Sequence, residues 1–413
     1  QSLDANTVGH SNVAVGTNAL LSNTDGDYNI AVGRNALDAN TTGGQNVGIG
    51  YAALGANTVG SSNIAVGTSA LLSNTIGGFN VAIGSIALDA NTEGNSNVAV
   101  GYSALSTNTT AGNNVAVGVE TLKLNTTGSN NTALGYQALE ANTVGHSNVA
   151  VGTNALIANT EGTQNVAVGR IALDANTTAS YNTAVGYATL TANTTGASNV
   201  AMGRNALLVN TVGYSNVAIG VLSLAANTDG FDNTAVGRDA GGAVTTGDNN
   251  SFLGHDAGIT GSPGGAITTA NNQMCLGDEN IANAHIQVDW TVASDKRDKT
   301  EVTPLVMGLD FINKLEPVTY RWDKRSKYSK DQDVTPDGTH KEAQLDVGFL
   351  AQDVEELEKE YGFNFEDKTN LTTNISDDEK MYGLKYSKFV PALVKAVQEL
   401  TAKVKELEGK LND

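Results

Sequence analysis

The chain has one cysteine, five prolines and two tryptophans in 413 residues, and aromatic side chains make up 5% of it. A lone Cys275 excludes an intrachain disulfide and reads as a small apolar residue. No apolar run approaches the length that carries a helix across a bilayer, so no membrane insertion is expected. Charge is scarce as well, at 16% of residues. Up to Ala293 there are 5 Lys+Arg against 18 Asp+Glu, and from Ser294 onward 19 against 25, so the net −19 divides into −13 and −6. A first segment so short of cations excludes nucleic acid as a partner held on a basic surface. No metal or cofactor is expected. The chain starts at Gln1 without an initiator Met or a signal-like segment, as expected of a fragment or a mature form.

Few aromatics and 46 glycines would suggest disorder. The order of the residues says otherwise. A unit opening on Asn-x-Ala-x-Gly begins at Asn12 and recurs every seventeen residues as far as Asn250, fifteen units in all. No insertion or deletion breaks the register. A fixed period of this size means that each unit stacks on the one before it. Each unit reads as two short extended pieces, one over 12–16 and one centred on Ala19 and Leu20, closed by Asn23 and Thr24. Ala14, Ala31 and Ala65 head a column of small residues flanked by larger apolar ones, with Gly48 and Phe252 as departures. Side chains of a strand alternate between faces, so both faces are apolar and both need cover. One face belongs inside the coil and the other against further copies of the chain; the copies are expected to share the small-residue side. A single narrow coil has little interior to offset the entropy of ordering it, which points to an obligate homo-oligomer.

The Gly16 column marks a turn that needs positive φ or close backbone approach. The Asn columns suggest amide ladders from coil to coil. Tyr28, Phe79, Tyr181, Tyr214 and Phe231 fall in equivalent or adjacent turns, with Tyr51, Tyr102, Tyr136 and Tyr187 just after the Gly column. Such side chains stack on sugars or simply pack, and the residues leave both open. Acids are sparse here; Asp38, Asp89 and Asp174 share one turn column several coils apart and read as solvated turns rather than a paired glycan-cleaving site. One regular Thr column beside Asn argues against a flat ice-binding array.

The Val-Ala-Val-Gly strands resemble the heads of trimeric autotransporter adhesins. The full unit, as in Asn182-Thr-Ala-Val-Gly-Tyr-Ala-Thr-Leu-Thr-Ala-Asn-Thr-Thr-Gly196, is similar to repeats of phage and bacterial tail-fibre-type proteins. The resemblance implies a trimeric parallel β-solenoid or β-roll, mainly β, over 1–260. Past Leu224 the beat decays: Gly241 and Gly258 stand where Leu did, and 261–293 read as a capping and connecting segment with a last strand near 273–277 and another at 286–292.

From 294 the composition is that of a charged α+β domain. A helix is expected over 309–315, a strand over 318–322, a polar loop over 323–343, a strand over 347–351 and a helix over 352–361. Val390, Leu393, Val397, Leu400, Val404, Leu407 and Leu411 alternate by three and four, an a/d seam that predicts a coiled coil over 390–411. Ser294-Asp-Lys-Arg-Asp-Lys299, Leu315-Glu-Pro-Val-Thr-Tyr-Arg-Trp322 and Gly348-Phe-Leu-Ala-Gln-Asp-Val354, followed by Tyr386 and the terminal heptads, resemble the C-terminal intramolecular chaperone and autoprocessing domain of endosialidase-type tailspikes and tail fibres. That resemblance, over 294–413, implies a trimerising helper that cuts itself off at the Ala293–Ser294 bond, with Ser294 as nucleophile and Lys299 as its partner. The chain would be a single-turnover Ser/Lys autoprotease without an external substrate. It implies a homotrimeric tail fibre in a virion tail, meeting other tail proteins and a host-surface glycan or protein receptor. A bacterial surface adhesin of the same build and a glycan-degrading fibre are the alternatives.

Overall fold

The computed structural model describes residues 1–413 apart from 263, 282, 288–291, 330–332, 377–378 and 413. It contains two compact units: Gln1–Ala257 with Thr268–Met274, and Gly258–Ile267 with Cys275–Asp413.

The first unit carries one three-residue strand per seventeen residues, from β1 (Val13–Val15) to β15 (Ser251–Leu253). Successive strands pair in chain order, all in parallel, each residue opposite its equivalent one coil on, as Val13 with Ile30, Ala14 with Ala31 and Val15 with Val32. This is the expected mainly β, parallel solenoid.

Two features differ from expectation. The stretch around Ala19 and Leu20 is a run of turns, not an extended piece, because Asn18 and Leu20 sit in the left-handed region at φ 59° and 50°. A bulky residue there costs roughly 1–2 kcal/mol. Leu20 and most of its equivalents are wholly buried, worth roughly 1.5–3 kcal/mol each, so burial outweighs the backbone cost. The faces are also reversed. The Ala column lies inside the chain's own coils, with Ala31, Ala65, Ala99 and Ala150 at 0% exposure, while its larger neighbours point outward, Val15 at 57% and Ile64 at 40%. The small residue faces inward because the coil is too narrow to hold a β-branched chain beside the buried Leu.

The Gly16 column has positive φ in every coil, from 112° at Gly254 to 142° at Gly237. A Cβ on Gly101 would stand 2.2 Å from the Gly118 carbonyl oxygen. A second tight glycine column is less strict, since Ala111 and Ala179 occupy it and are buried there.

Both Asn columns are buried and do different work. In the column from Asn6 to Asn227 each side-chain amide after the first donates to the side-chain carbonyl of the preceding coil; Asn40 Nδ2 reaches Asn23 Oδ1 at 2.8 Å. In the column from Asn12, Asn29 Nδ2 donates to Gly43 O at 2.9 Å and staples the two ends of one coil, while Asn12 Oδ1 accepts the Asn29 backbone N–H at 2.8 Å. A ladder running one way must leave an acceptor over at its end. Val244 follows in the column, and Asn227 Oδ1 has no hydrogen-bond partner. The Thr hydroxyls are spent similarly, each on the next coil's carbonyl, as Thr58 Oγ1 to Thr75 O at 3.1 Å. Near the end of the stack Gly241 replaces Leu and Phe252 replaces Ala. A Cβ at Gly241 would lie 2.8 Å from the Phe252 ring, so the ring fills the space the Leu gave up.

A sixteenth strand, β16 (Met274–Leu276), follows. The second unit then has α1 (Leu309–Lys314), an antiparallel pair β17 (Val318–Tyr320) and β18 (Asp346–Gly348), α2 (Ala351–Glu360), a second pair β19 (Thr373–Ile375) and β20 (Tyr382–Leu384), and α3 (Phe389–Asn412). The expected strand over 286–292 lies largely outside the described residues, and its described members, Ile286, Gln287 and Val292, are not in a strand. Met307, Phe311, Val354, Leu357, Phe389 and Ala392 form the core, joining α1, α2 and the start of α3. The fully buried Glu358 ties α2 to β19, accepting from Thr372 N and Thr373 Oγ1 at 2.5 Å each and from Thr372 Oγ1 at 2.8 Å. The heptad positions of α3 remain uncovered within the chain, Val397 at 62% and Leu400 at 51% exposure.

Candidate functional site

Asp295 opens a single 3-10 turn, Lys296–Asp298, its side chain capping the Arg297 backbone N–H at 2.9 Å. One tight turn returns the chain on itself, and Lys299, extended at its end, reaches back along it. Its Nζ donates to Ser294 Oγ at 2.6 Å. Ser294 and Lys299, five residues apart, are therefore in direct contact. Arg297 is engaged by Asp295 through Nη2 at 2.6 Å, and that guanidinium holds the Asp295 carboxyl below its ordinary range. Of the two cations between Ser294 and Lys299, Lys296 and Arg297, the second is thus already paired with an acid. Every residue from 292 to 300 is exposed in the isolated chain, so neither hydroxyl nor amine is shielded from water. The pair also lies outside the cleft of about 1160 Å³ in this unit, whose wall includes Tyr320, Trp322, Phe349 and Tyr386.

Residues 294–363 match the chaperone-of-endosialidase family. The match covers 70 of 413 residues and opens at Ser294. No curated protein matches the chain. Within the chaperone-type segment the second and third motifs meet through their backbones: β17 and β18 pair Val318 with Gly348 and Tyr320 with Asp346. Tyr386, the residue expected to follow them, accepts the Phe349 N–H on its hydroxyl oxygen at 3.3 Å, next to a stacked Phe349 ring.

The other sequence candidates behave differently. Asp38, Asp89 and Asp174 are separated by three and five coils, about 14 and 24 Å at strand spacing. Paired glycosidase carboxyls stand at most ~9.5 Å apart, so these three form no such pair. They are also less solvated than expected, since burial raises each carboxyl above 3.8. Among the aromatic turns, Tyr214 and Phe231 stack with centroids 4.8 Å apart and rings 2° from parallel. The role of Glu358 was not visible in the sequence, where it is one acid among several in the α2 segment.

Proposed function

We propose that this chain is a homotrimeric fibre subunit, most simply of a virion tail, whose residues 294–413 align three copies and then sever themselves at Ala293–Ser294. The observation that carries the reading is a coincidence at one residue: the family match opens at Ser294, and Ser294 Oγ is the atom that holds Lys299 Nζ. In the cut, Ser294 Oγ bonds to the Ala293 carbonyl carbon and gives its proton to a neutral Lys299 amine. The Ala293–Ser294 C–N bond breaks, the Ser294 nitrogen takes the proton back, and water hydrolyses the ester to the Ala293 carboxylate. A lysine acts as a base only where its surroundings lower its proton affinity. The site is bare in one chain, so neighbouring copies are expected to cover it, which would make cutting follow assembly.

Two uncovered apolar surfaces support association: the outward Val and Ile columns of the solenoid and the a/d seam of α3. These replace the Ala side as the shared surface. Host attachment is the purpose such a fibre serves; a bacterial surface adhesin of the same build is the second reading, favoured by the Val-Ala-Val-Gly strands. On a denaturing gel the native chain should give fragments of 293 and 120 residues (413 less 293). Ser294→Ala and Lys299→Ala should each leave the intact chain. Cutting that persists in both variants removes the dyad from the account.

A further inference from the structure

The first unit has five cations in its 257-residue run, and four of them, Arg34, Arg170, Arg204 and Arg238, occupy the same position of the repeat, directly after the Gly turn. All four are exposed. Tyr51, Tyr102, Tyr136 and Tyr187 share the column and are about half exposed. Its backbone is held at strand spacing: Ala188 N donates to Arg170 O at 3.2 Å, Asn205 N to Tyr187 O at 3.0 Å and Leu222 N to Arg204 O at 3.0 Å. The Arg170 guanidinium lies 5.7 Å from the Tyr187 ring centroid. Among the described residues, neither Arg170 nor Arg204 has a carboxylate partner, whereas the exposed Arg238 guanidinium lies 3.6 Å from Asp239 and 3.8 Å from Asp256.

We infer that the column through Tyr136, Arg170, Tyr187, Arg204 and Arg238 is a binding track for a linear polysaccharide with one carboxylate per disaccharide. This rests on the attachment reading above. Arg170, Arg204 and Arg238 recur every second coil, about 9.6 Å apart. That is close to the rise of one disaccharide in an extended acidic glycan. The interleaved Tyr187 offers a ring face for sugar stacking, and its contact with Arg170 pre-orients the cation. Nucleic acid fits poorly: duplex DNA carries a charge every ~1.7 Å, far denser than the track, and the net charge around it is negative.

The test is a fluorescence titration of the full chain with labelled hyaluronan, dextran and duplex DNA. Hyaluronan should bind, more weakly as salt rises, and dextran should not. Arg170→Ala/Arg204→Ala should weaken binding about fivefold to tenfold and Tyr187→Ala about threefold. Lys123→Ala, the solenoid cation off the column, should change nothing. The inference is overturned by absence of hyaluronan binding, by preference for DNA, by an equal loss in Lys123→Ala, or by the double Arg variant altering the native mass, which would make the column a contact between copies. Adsorption to a panel of encapsulated bacteria separates the two readings. Adsorption unaffected by the double variant removes the track and keeps attachment. No adsorption, with Arg-dependent hyaluronan binding intact, keeps the track and removes attachment.

Discussion

At Asn91 three hydrogen bonds meet on a side chain with no exposure: its amide donates to Asn74 Oδ1 at 2.9 Å and Gly94 O at 3.1 Å, and its carbonyl accepts from Asn108 at 2.9 Å. Asn91→Ala strands two buried partners and should cost about 3 kcal/mol. Because each coil touches only its neighbours, the loss should appear as faster amide exchange over 74–108 and leave distant coils unchanged; protection unchanged at those amides would refute the ladder's role. Asp89 and Asp174 act in the opposite sense. Burial raises both carboxyls, and one oxygen of each has no hydrogen-bond partner. The folded state holds these protons more tightly than the unfolded chain, so their contribution is full below the unfolded value and lost as pH rises through the raised one. Asp89→Asn/Asp174→Asn should therefore raise the thermal midpoint at neutral pH, and the gain should vanish near about pH 3, below the ordinary carboxyl range. A gain independent of pH would show that charge is not the cause.

The coil is the natural element of this protein, and its irregular end tests how it packs. Gly241→Leu alone drives a side chain into the Phe252 ring, and Phe252→Ala alone leaves a cavity, each costing about 2–4 kcal/mol. Together they rebuild an ordinary coil, so the double variant should unfold near the native midpoint; strict additivity of the two losses would contradict the paired substitution. The period, the parallel register, the Gly turn and the Asn ladder were all legible, since a repeated column can only stack on itself. The left-handed Leu was not, because the preference of Leu argues against that backbone and only its complete burial reverses the balance. The inward face was not legible either. Alternation separates two apolar faces without saying which one a narrow coil admits. In the second unit α1, β17 and α2 fell within a residue or two of expectation, whereas β19 and β20 went unseen because 370–384 is polar and is pinned by Glu358, which lies outside that segment, in α2.

For the molecule as a whole the difficulty is register. Identical columns every seventeen residues let side-by-side copies slip by a coil while re-pairing nearly every contact, so the stack alone discriminates weakly between alignments. The a/d seam of α3 and the apolar Val and Ile columns are the surfaces on which copies would meet, and a helper joined at one end would set the alignment before the stack closes. Ser294 and Lys299 entered through resemblance to a family, not through any pattern a single sequence enforces; their 2.6 Å contact and their exposure are what the structure adds. Light scattering on uncut Ser294→Ala protein tests the central claim most directly. Association through the Val and Ile columns and the α3 seam predicts three times the chain mass of 42.5 kDa, whereas a particle of one chain's mass would contradict it.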